Sequence, residues 1–147
     1  MTVTYHRAAD RVPIRERFKE VVIMAVSLSK KDYQAALSLS AEERYDYFVE
    51  QVGASGEIWS LANKDGWVAF SSEGDACLPV WPHPDFARAW VRDDWSDCKP
   101  QSIRLDAWIE RWLPGMEADG TLILVFPSEE EEGIVVSPGE LEESLVG

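Results

Sequence analysis

Residues 78–90 read Leu-Pro-Val-Trp-Pro-His-Pro-Asp-Phe-Ala-Arg-Ala-Trp. This stretch, here called the proline corner, decides the fold because each proline fixes its own φ and drives the preceding residue toward extended backbone. The spacing predicts a strand that ends at Trp81, a rigid turn, and a helix that begins at Pro84. Because Pro79 cannot donate a hydrogen bond to a neighbouring strand, we expect the strand to lie at a sheet edge or to be bulged.

The proline corner has two interpretations. In the first, the stiff backbone presents a partly exposed aromatic cluster beside acidic side chains, which suits an Arg- or Lys-bearing partner. The candidate binding residues are then Trp81, His83, Asp85, Trp90, Asp93, Asp94 and Trp95. In the second, Trp81 and Trp90 close one end of the core, and His83 caps the helix or binds a carbonyl.

The segments before the proline corner predict three strands that form an antiparallel meander. Residues 57–62 and 67–71 flank an Asn-Lys-Asp-Gly turn suited to a hairpin. A second polar turn leads into the third strand at 77–81.

Two helices are predicted further upstream. Ser29 with Asp32 resembles an N-terminal capping box, and Ser40 with Glu43 is a stronger one because glutamate reaches back to the cap N–H.

The segments after the proline corner predict helices and a second hairpin. Residues 92–100 are expected to be a polar loop, followed by a helix that Asp106 caps and that Pro114 and Gly115 terminate. Residues 121–126 and 134–136 flank an acidic turn. The sequence Ser-Pro-Gly-Glu at 137–140 then begins a last helix.

These elements predict an α+β fold with an antiparallel sheet of about five strands, helices packed on one face and an N-terminal helical pair. We expect a single domain over residues 28–147. Residues 1–27 are expected to be an N-terminal extension, either disordered or encoded upstream of a true start at Met24. Within it, residues 11–26 carry a weak helical signal.

The chain is strongly acidic, and its charge is unevenly distributed. Its 147 residues carry 14 Lys and Arg against 27 Asp and Glu, a formal net charge of −13. Residues 1–23 have a net charge of +2 and residues 24–147 a net charge of −15. Nucleic acids and anionic membranes require clustered Lys and Arg, so we expect neither as a partner. A basic protein partner and solubility alone both explain the acidity.

The composition indicates a globular cytoplasmic protein. Apolar residues make up 46% of the chain, which suits a packed core. No apolar run approaches the roughly 18 residues that a membrane-spanning helix needs, and the N-terminus lacks a secretory signal pattern. Cys77 and Cys98 are too few for a disulfide framework, so we expect reduced cysteines.

The sequence offers no recognisable catalytic or metal-binding motif. With only His6 and His83, zinc motifs built on paired histidines are excluded. Asp93, Asp94 and Asp97 lack the glycine and terminal glutamate of a calcium loop. Cys77 has no neighbouring base to activate it. We therefore predict no catalytic residue, no metal and no cofactor.

Four stretches together resemble a bacterial family known as domain of unknown function 2750 (DUF2750). They lie at residues 36–52, 78–87, 112–120 and 126–138, and the string Leu-Pro-Val-Trp-Pro-His-Pro is the most specific of them. The resemblance covers nearly everything from Leu28 onward. It implies a fold boundary and no particular chemistry.

The leading hypothesis is a non-enzymatic cytoplasmic interaction module, such as an adaptor, inhibitor or immunity-like protein, that binds a basic partner. The alternative is a small-molecule-binding protein or a hydrolase-type enzyme that uses His83 with Asp85 or Cys77. The enzyme predicts a deep pocket at the proline corner, whereas the interaction module predicts a broad acidic and aromatic face.

Overall fold

The computed structural model describes residues 3–7, 28–129 and 133–146. Its strands are β1 (Val3–Arg7), β2 (Glu57–Asn63), β3 (Gly66–Ser72), β4 (Asp75–Val80), β5 (Lys99–Arg104), β6 (Leu122–Val125) and β7 (Ile134–Val136). Its α-helices are α1 (Lys30–Leu37), α2 (Ala41–Ser55), α3 (Pro84–Arg88), α4 (Leu105–Ala107), α5 (Leu113–Asp119) and α6 (Pro138–Val146). A 3₁₀ turn spans Asp93–Trp95, and the π-helical turn Trp108–Trp112 joins α4 to α5.

The strands form one mostly antiparallel sheet, which confirms the predicted α+β class. The strand order is β5-β2-β3-β4-β6-β7, and β1 pairs with β3 outside this path. The described sheet exceeds the predicted five strands because β1 and β5 also pair. The pairing of β4 with β6 is parallel. That arrangement needs a long crossover, which residues 81–121 supply.

Capping residues in the sequence marked the start of several helices correctly. Ser40 Oγ accepts the Glu43 N–H at 3.2 Å, while the Glu43 carboxylate accepts the Ser40 N–H at 3.0 Å. Ser137 and Glu140 form the same reciprocal pair at the start of α6. Gly56 ends α2 with a φ of 76°, a left-handed conformation that favours glycine.

Pro79 lies in the interior strand β4, between β3 and β6, so the edge position, one of the two alternatives predicted for this strand, was wrong. The ladder between β3 and β4 ends at the Phe70–Cys77 pair, and Pro79 lies beyond it. The side of Pro79 that lacks an N–H donor therefore faces a position where no β3 residue pairs with Pro79. On that side the Pro79 carbonyl accepts a hydrogen bond from Ser60 Oγ at 2.6 Å.

The helical segment that begins at Leu105 differs from its prediction at both ends: its N-cap residue is Arg104 and not Asp106, and Pro114 does not terminate it. The segment continues through α5 to Gly120, whose φ of 75° ends it. A proline inside a helix cannot donate to the carbonyl four residues earlier. Directly before Pro114, the Leu113 N–H bonds to the Trp108 carbonyl, five residues back. This π-helical turn accommodates the proline without breaking the segment.

Two expectations about irregular segments need correction. Residues 99 and 100, expected to end a polar loop, instead begin β5, which pairs with β2 from Glu57 to Ala62. Within the expected N-terminal extension, β1 pairs with β3 from Val3–Ser72 to Arg7–Val68. The helical signal at 11–26 and the proposed start at Met24 lie outside the described residues.

A buried arginine fixes the backbone after β6. Phe126 has a φ of 50°, which is unfavourable for a bulky side chain. Its carbonyl accepts a hydrogen bond from Arg44 Nε at 3.1 Å, and Arg44 Nη1 donates to the Leu39 carbonyl at 2.9 Å. Arg44 is only 1% exposed. The guanidinium therefore ties the start of α2 to the end of β6.

Within the described part of the chain, no helix has the length and apolar character to cross a membrane.

Candidate functional site

The proline corner begins α3 as predicted. His83 is the N-cap residue, and its Nδ1 accepts the Asp85 N–H at 3.1 Å. Asp85 Oδ2 accepts the Leu28 N–H at 2.8 Å, and Asp85 Oδ1 accepts from the Arg88 guanidinium at 2.5 Å. His83 therefore caps the start of α3, and Asp85 ties it to the chain just before α1.

The two tryptophans of the proline corner lie in the core. Trp81 is 0% exposed and Trp90 8% exposed, so the expectation of a partly exposed cluster is wrong for both. The Trp81 indole N–H donates to the Pro127 carbonyl at 3.0 Å. The two rings lie 6.0 Å apart, and Trp90 also packs against Phe70. The second interpretation, in which these residues close the core, describes this arrangement.

The acidic loop after α3 supplies only part of the predicted binding surface. Asp93 is exposed with a φ of 51°, and Trp95 is half-buried against Phe70 at 5.7 Å. The side chain of Asp94 lies outside the described part of the structure. The loop therefore contributes one exposed carboxylate beside a half-buried tryptophan.

The enzymatic alternative relies on His83 with Asp85 or Cys77. The His83 Nδ1 and Asp85 Oδ2 atoms are 3.7 Å apart, beyond hydrogen-bond distance. Cys77 is fully buried in β4, and its Sγ lies 3.8 Å from the Asp75 carbonyl oxygen. Among the described residues, no three His, Cys, Asp or Glu side chains are arranged to hold a metal ion.

A group of three aromatic side chains at this end of the fold is one that sequence reasoning missed. We call Tyr33, Tyr47 and Phe86 the tyrosine cluster. The Tyr33 ring stacks on Phe86 at 5.1 Å with an interplanar angle of 9°. Tyr47 meets Phe86 edge-on, at 6.4 Å and 89°. Phe86 is buried, whereas both tyrosines are half-buried. Helices α1, α2 and α3 each supply one ring.

Carboxylates surround the tyrosine cluster. Partial burial raises the pKa of Tyr47 above its usual value of 10, and the Asp32 and Glu50 carboxylates raise it further. Burial and then the Asp85 carboxylate raise the pKa of Tyr33 in the same direction. Negative charge near a phenol disfavours the phenolate. Both hydroxyls therefore lie in a negative potential.

A larger acidic surface adjoins this cluster on α2. Helices α2 and α6 pack together, and the Tyr45 hydroxyl lies 2.8 Å from Ser144 Oγ. Both helices expose carboxylates, which we call the acidic face: Glu42, Asp46, Glu142 and Glu143. The sequences of the two helices contain one basic residue, Arg44, and it is buried.

An open groove of about 390 Å³ runs beside α1. It is lined by Gln34, Leu37, Ser38, Ser128 and Glu129. An ion pair between Arg92 and Glu129 lies at one side of it. Neither Trp81 nor His83 lines the groove, so it is not the deep pocket that the enzymatic alternative predicts at the proline corner.

The tyrosines were hard to single out because neither belongs to a recognisable binding motif, and Tyr47 lies outside the apolar spacing of α2, which runs through Tyr45, Phe48, Val49 and Val52. Tyr33 shares a helix face with the buried Ala36 and the half-buried Leu37, and it is half-buried itself. The available signal was the high tyrosine content of two short neighbouring helices, with Asp32 next to Tyr33 and Asp46 next to Tyr47.

A family model described as "Protein of unknown function (DUF2750)" matches residues 45–145. No curated protein and no solved structure matches the chain.

Proposed function

We propose that this chain, which belongs to the DUF2750 family, is a non-enzymatic protein-interaction module that binds a basic partner in the bacterial cytoplasm. Its role is that of an adaptor, an inhibitor or an immunity-like protein. Electrostatic attraction would guide the partner to the acidic side of the molecule and align it there.

The acidic face is the observation that carries this proposal. Its four side chains, Glu42, Asp46, Glu142 and Glu143, are exposed on two helices that pack against each other. The outer surface of α2 and α6 therefore has one sign of charge. Fields of one sign raise association rates with oppositely charged proteins and penalise wrong partners.

The gathering of carboxylates on two adjacent helices supports a binding surface over solubility alone. Elsewhere on the described surface, three exposed arginines pair with acids: Arg88 with Asp85, Arg92 with Glu129 and Arg104 with Asp106. A solubilising surface needs only interspersed charges with a net excess. An acidic excess gathered on two adjacent helices favours a binding surface.

Affinity capture with quantitative mass spectrometry tests the proposal. The full chain is immobilised and exposed to native lysate at low and at high salt. The test variant carries Asp46→Asn, Glu142→Gln and Glu143→Gln, and the matched control carries Asp106→Asn, Glu110→Gln and Glu117→Gln. All six residues are exposed, so both variants lose the same charge. Any captured protein is then purified and titrated against all three chains by calorimetry.

We expect a basic protein that binds wild type and the control equally, binds the test variant more weakly, and dissociates as salt increases. Neutralising three rim charges should weaken binding about 3- to 150-fold, since exposed charge pairs contribute about 0.2–1 kcal/mol each and about 1.4 kcal/mol is tenfold. A partner that binds the test variant as tightly as the control contradicts the proposal.

A further inference from the structure

We propose that the tyrosine cluster binds one Lys or Arg side chain of the partner. This inference rests on the proposed function and assigns a specific contact to it. The ligand is a cationic side chain in a basic polypeptide segment that crosses α1 and α2.

The ring geometry suits a cation. Tyr33 lies within 9° of parallel to Phe86, and Tyr47 is turned 89° from it. The planes of the two tyrosines are therefore nearly perpendicular to each other. Because Phe86 is buried, the tyrosines are the rings that solvent reaches. A cation is attracted to the face of an aromatic ring and not to its edge, so the Tyr33 face turned away from Phe86 and the faces of Tyr47 are the surfaces that suit an ammonium or guanidinium group.

The local charge suits the same ligand. Asp32 and Glu50 are exposed and lie close enough to Tyr47 to raise its pKa. Neither carboxylate takes part in a salt bridge within the described residues, although Lys30 and Lys31 share α1 with Asp32. Asp85, on the Tyr33 side, is already bound by Arg88. Asp32 and Glu50 are thus available to an incoming cation.

The open groove beside α1 can hold the rest of the partner segment. Leu37 follows Tyr33 by one helical turn, so both side chains lie along the same flank of α1. Leu37 and Gln34 line the open groove, which continues to Glu129. A segment whose cation sits at Tyr47 can therefore run along α1 in this groove.

Tyrosine-selective NMR tests the inference on the full chain. The rings are labelled with ¹³C and assigned with single Tyr→Phe variants. The probes are the blocked peptide Gly-Arg-Gly and its counterpart Gly-citrulline-Gly, which has nearly the same shape and no charge. Tyr45 is the internal reference because its hydroxyl is bound at Ser144.

We expect the arginine peptide to shift the Tyr33 and Tyr47 signals saturably, to leave Tyr45 unchanged, and to exceed the effect of the citrulline peptide. The double variant Asp32→Asn, Glu50→Gln should weaken binding about 2- to 5-fold or more. Its matched control is Glu110→Gln, Glu117→Gln, which should bind like wild type. Tyr47→Leu should also weaken binding about 2- to 5-fold, and the unchanged Tyr45 signal shows that this variant is folded.

Equal shifts with both peptides, or equal binding by the two double variants, would overturn the inference. The proposed function is judged separately, because its test variant changes Asp46, Glu142 and Glu143 and leaves the tyrosine cluster intact. A partner that depends on the acidic face while the tyrosine signals ignore arginine supports the function and contradicts this contact.

Discussion

Arg44 is a buried charged residue, and its removal should destabilise the fold. Arg44 donates to the carbonyls of Phe126 and Leu39. Without it, buried carbonyls lose their partner, at a cost of about 1–3 kcal/mol for each unsatisfied group. We expect Arg44→Met to lower the free energy of unfolding by about 2–4 kcal/mol in urea titrations. The control Arg111→Met, at an exposed position, should change it by less than about 0.5 kcal/mol. Equal effects would contradict the assigned role of Arg44.

Glu57, at the start of β2, should make stability depend on pH. Partial burial raises the pKa of its carboxyl above 4.5, so the folded state holds this proton more tightly than the unfolded chain does. The resulting stabilisation is complete below pH 4.5 and is lost as the pH rises through the raised pKa. We expect Glu57→Gln to be more stable than wild type at neutral pH, with the gain disappearing in acid. Urea unfolding at both pH values measures this. An equal gain in stability at neutral and acid pH would refute the burial effect. The control is Glu110→Gln, at an exposed position.

The candidate site shows where residue-level reasoning succeeds and fails. The sequence predicted that the proline corner begins a helix, and His83 was one proposed cap for it. The sequence could not show whether Trp81 is exposed, because the burial of Trp81 depends on β6 and on the Pro127 carbonyl, 46 residues away in the chain. The tyrosine cluster depends on contacts among three separate helices, which local patterns do not encode.

At the scale of elements, the α2 capping box offers a direct test of local signals. Ser40 and Glu43 each accept the N–H of the other. Loss of an N-cap side chain typically costs about 1 kcal/mol. We expect Ser40→Ala to lower the free energy of unfolding by about 1 kcal/mol, and the double variant with Glu43→Ala to cost less than the sum of the single changes. Chemical denaturation of the four chains measures the coupling. Additive costs would show that the two residues act independently. Glu42→Ala, in the same helical turn, is the control.

Elements that depend on distant partners were the ones that the sequence did not predict. Both hairpins and the capped helices follow from turn and cap residues close to each other in the chain. Strand β5 has a polar sequence, Lys-Pro-Gln-Ser-Ile-Arg, and becomes a strand because β2 offers it an edge. The parallel pairing of β4 with β6 requires a crossover, and Pro79 is tolerated because the β3 ladder ends before it. In each case tertiary contacts decide the element.

At the scale of the whole molecule, the net charge of −13 influences both binding and stability. A basic partner should bind the acidic face more tightly at low salt, because screening by salt ions weakens the attraction between exposed charges. The same charges repel one another within the folded chain, and salt reduces that repulsion. Salt should therefore act in opposite directions on partner affinity and on folding stability.

This opposition predicts that the free chain becomes more stable as salt increases. Raising NaCl from about 0.01 M to about 0.1 M shortens the Debye length from about 30 Å to about 10 Å, which screens repulsion across the acidic surface. We expect the melting temperature at neutral pH to rise by about 2–4 °C, the shift that about 1 kcal/mol produces in a domain of this size. Scanning calorimetry measures this rise.

The variant Asp46→Asn, Glu142→Gln, Glu143→Gln should show a smaller rise in melting temperature with salt. Near pH 4.5, the isoelectric point of the sequence, the effect should nearly vanish, because the repelling charge is then neutralised. A salt response that is the same at both pH values would mean that ion-specific effects, and not charge repulsion, control the stability of the fold.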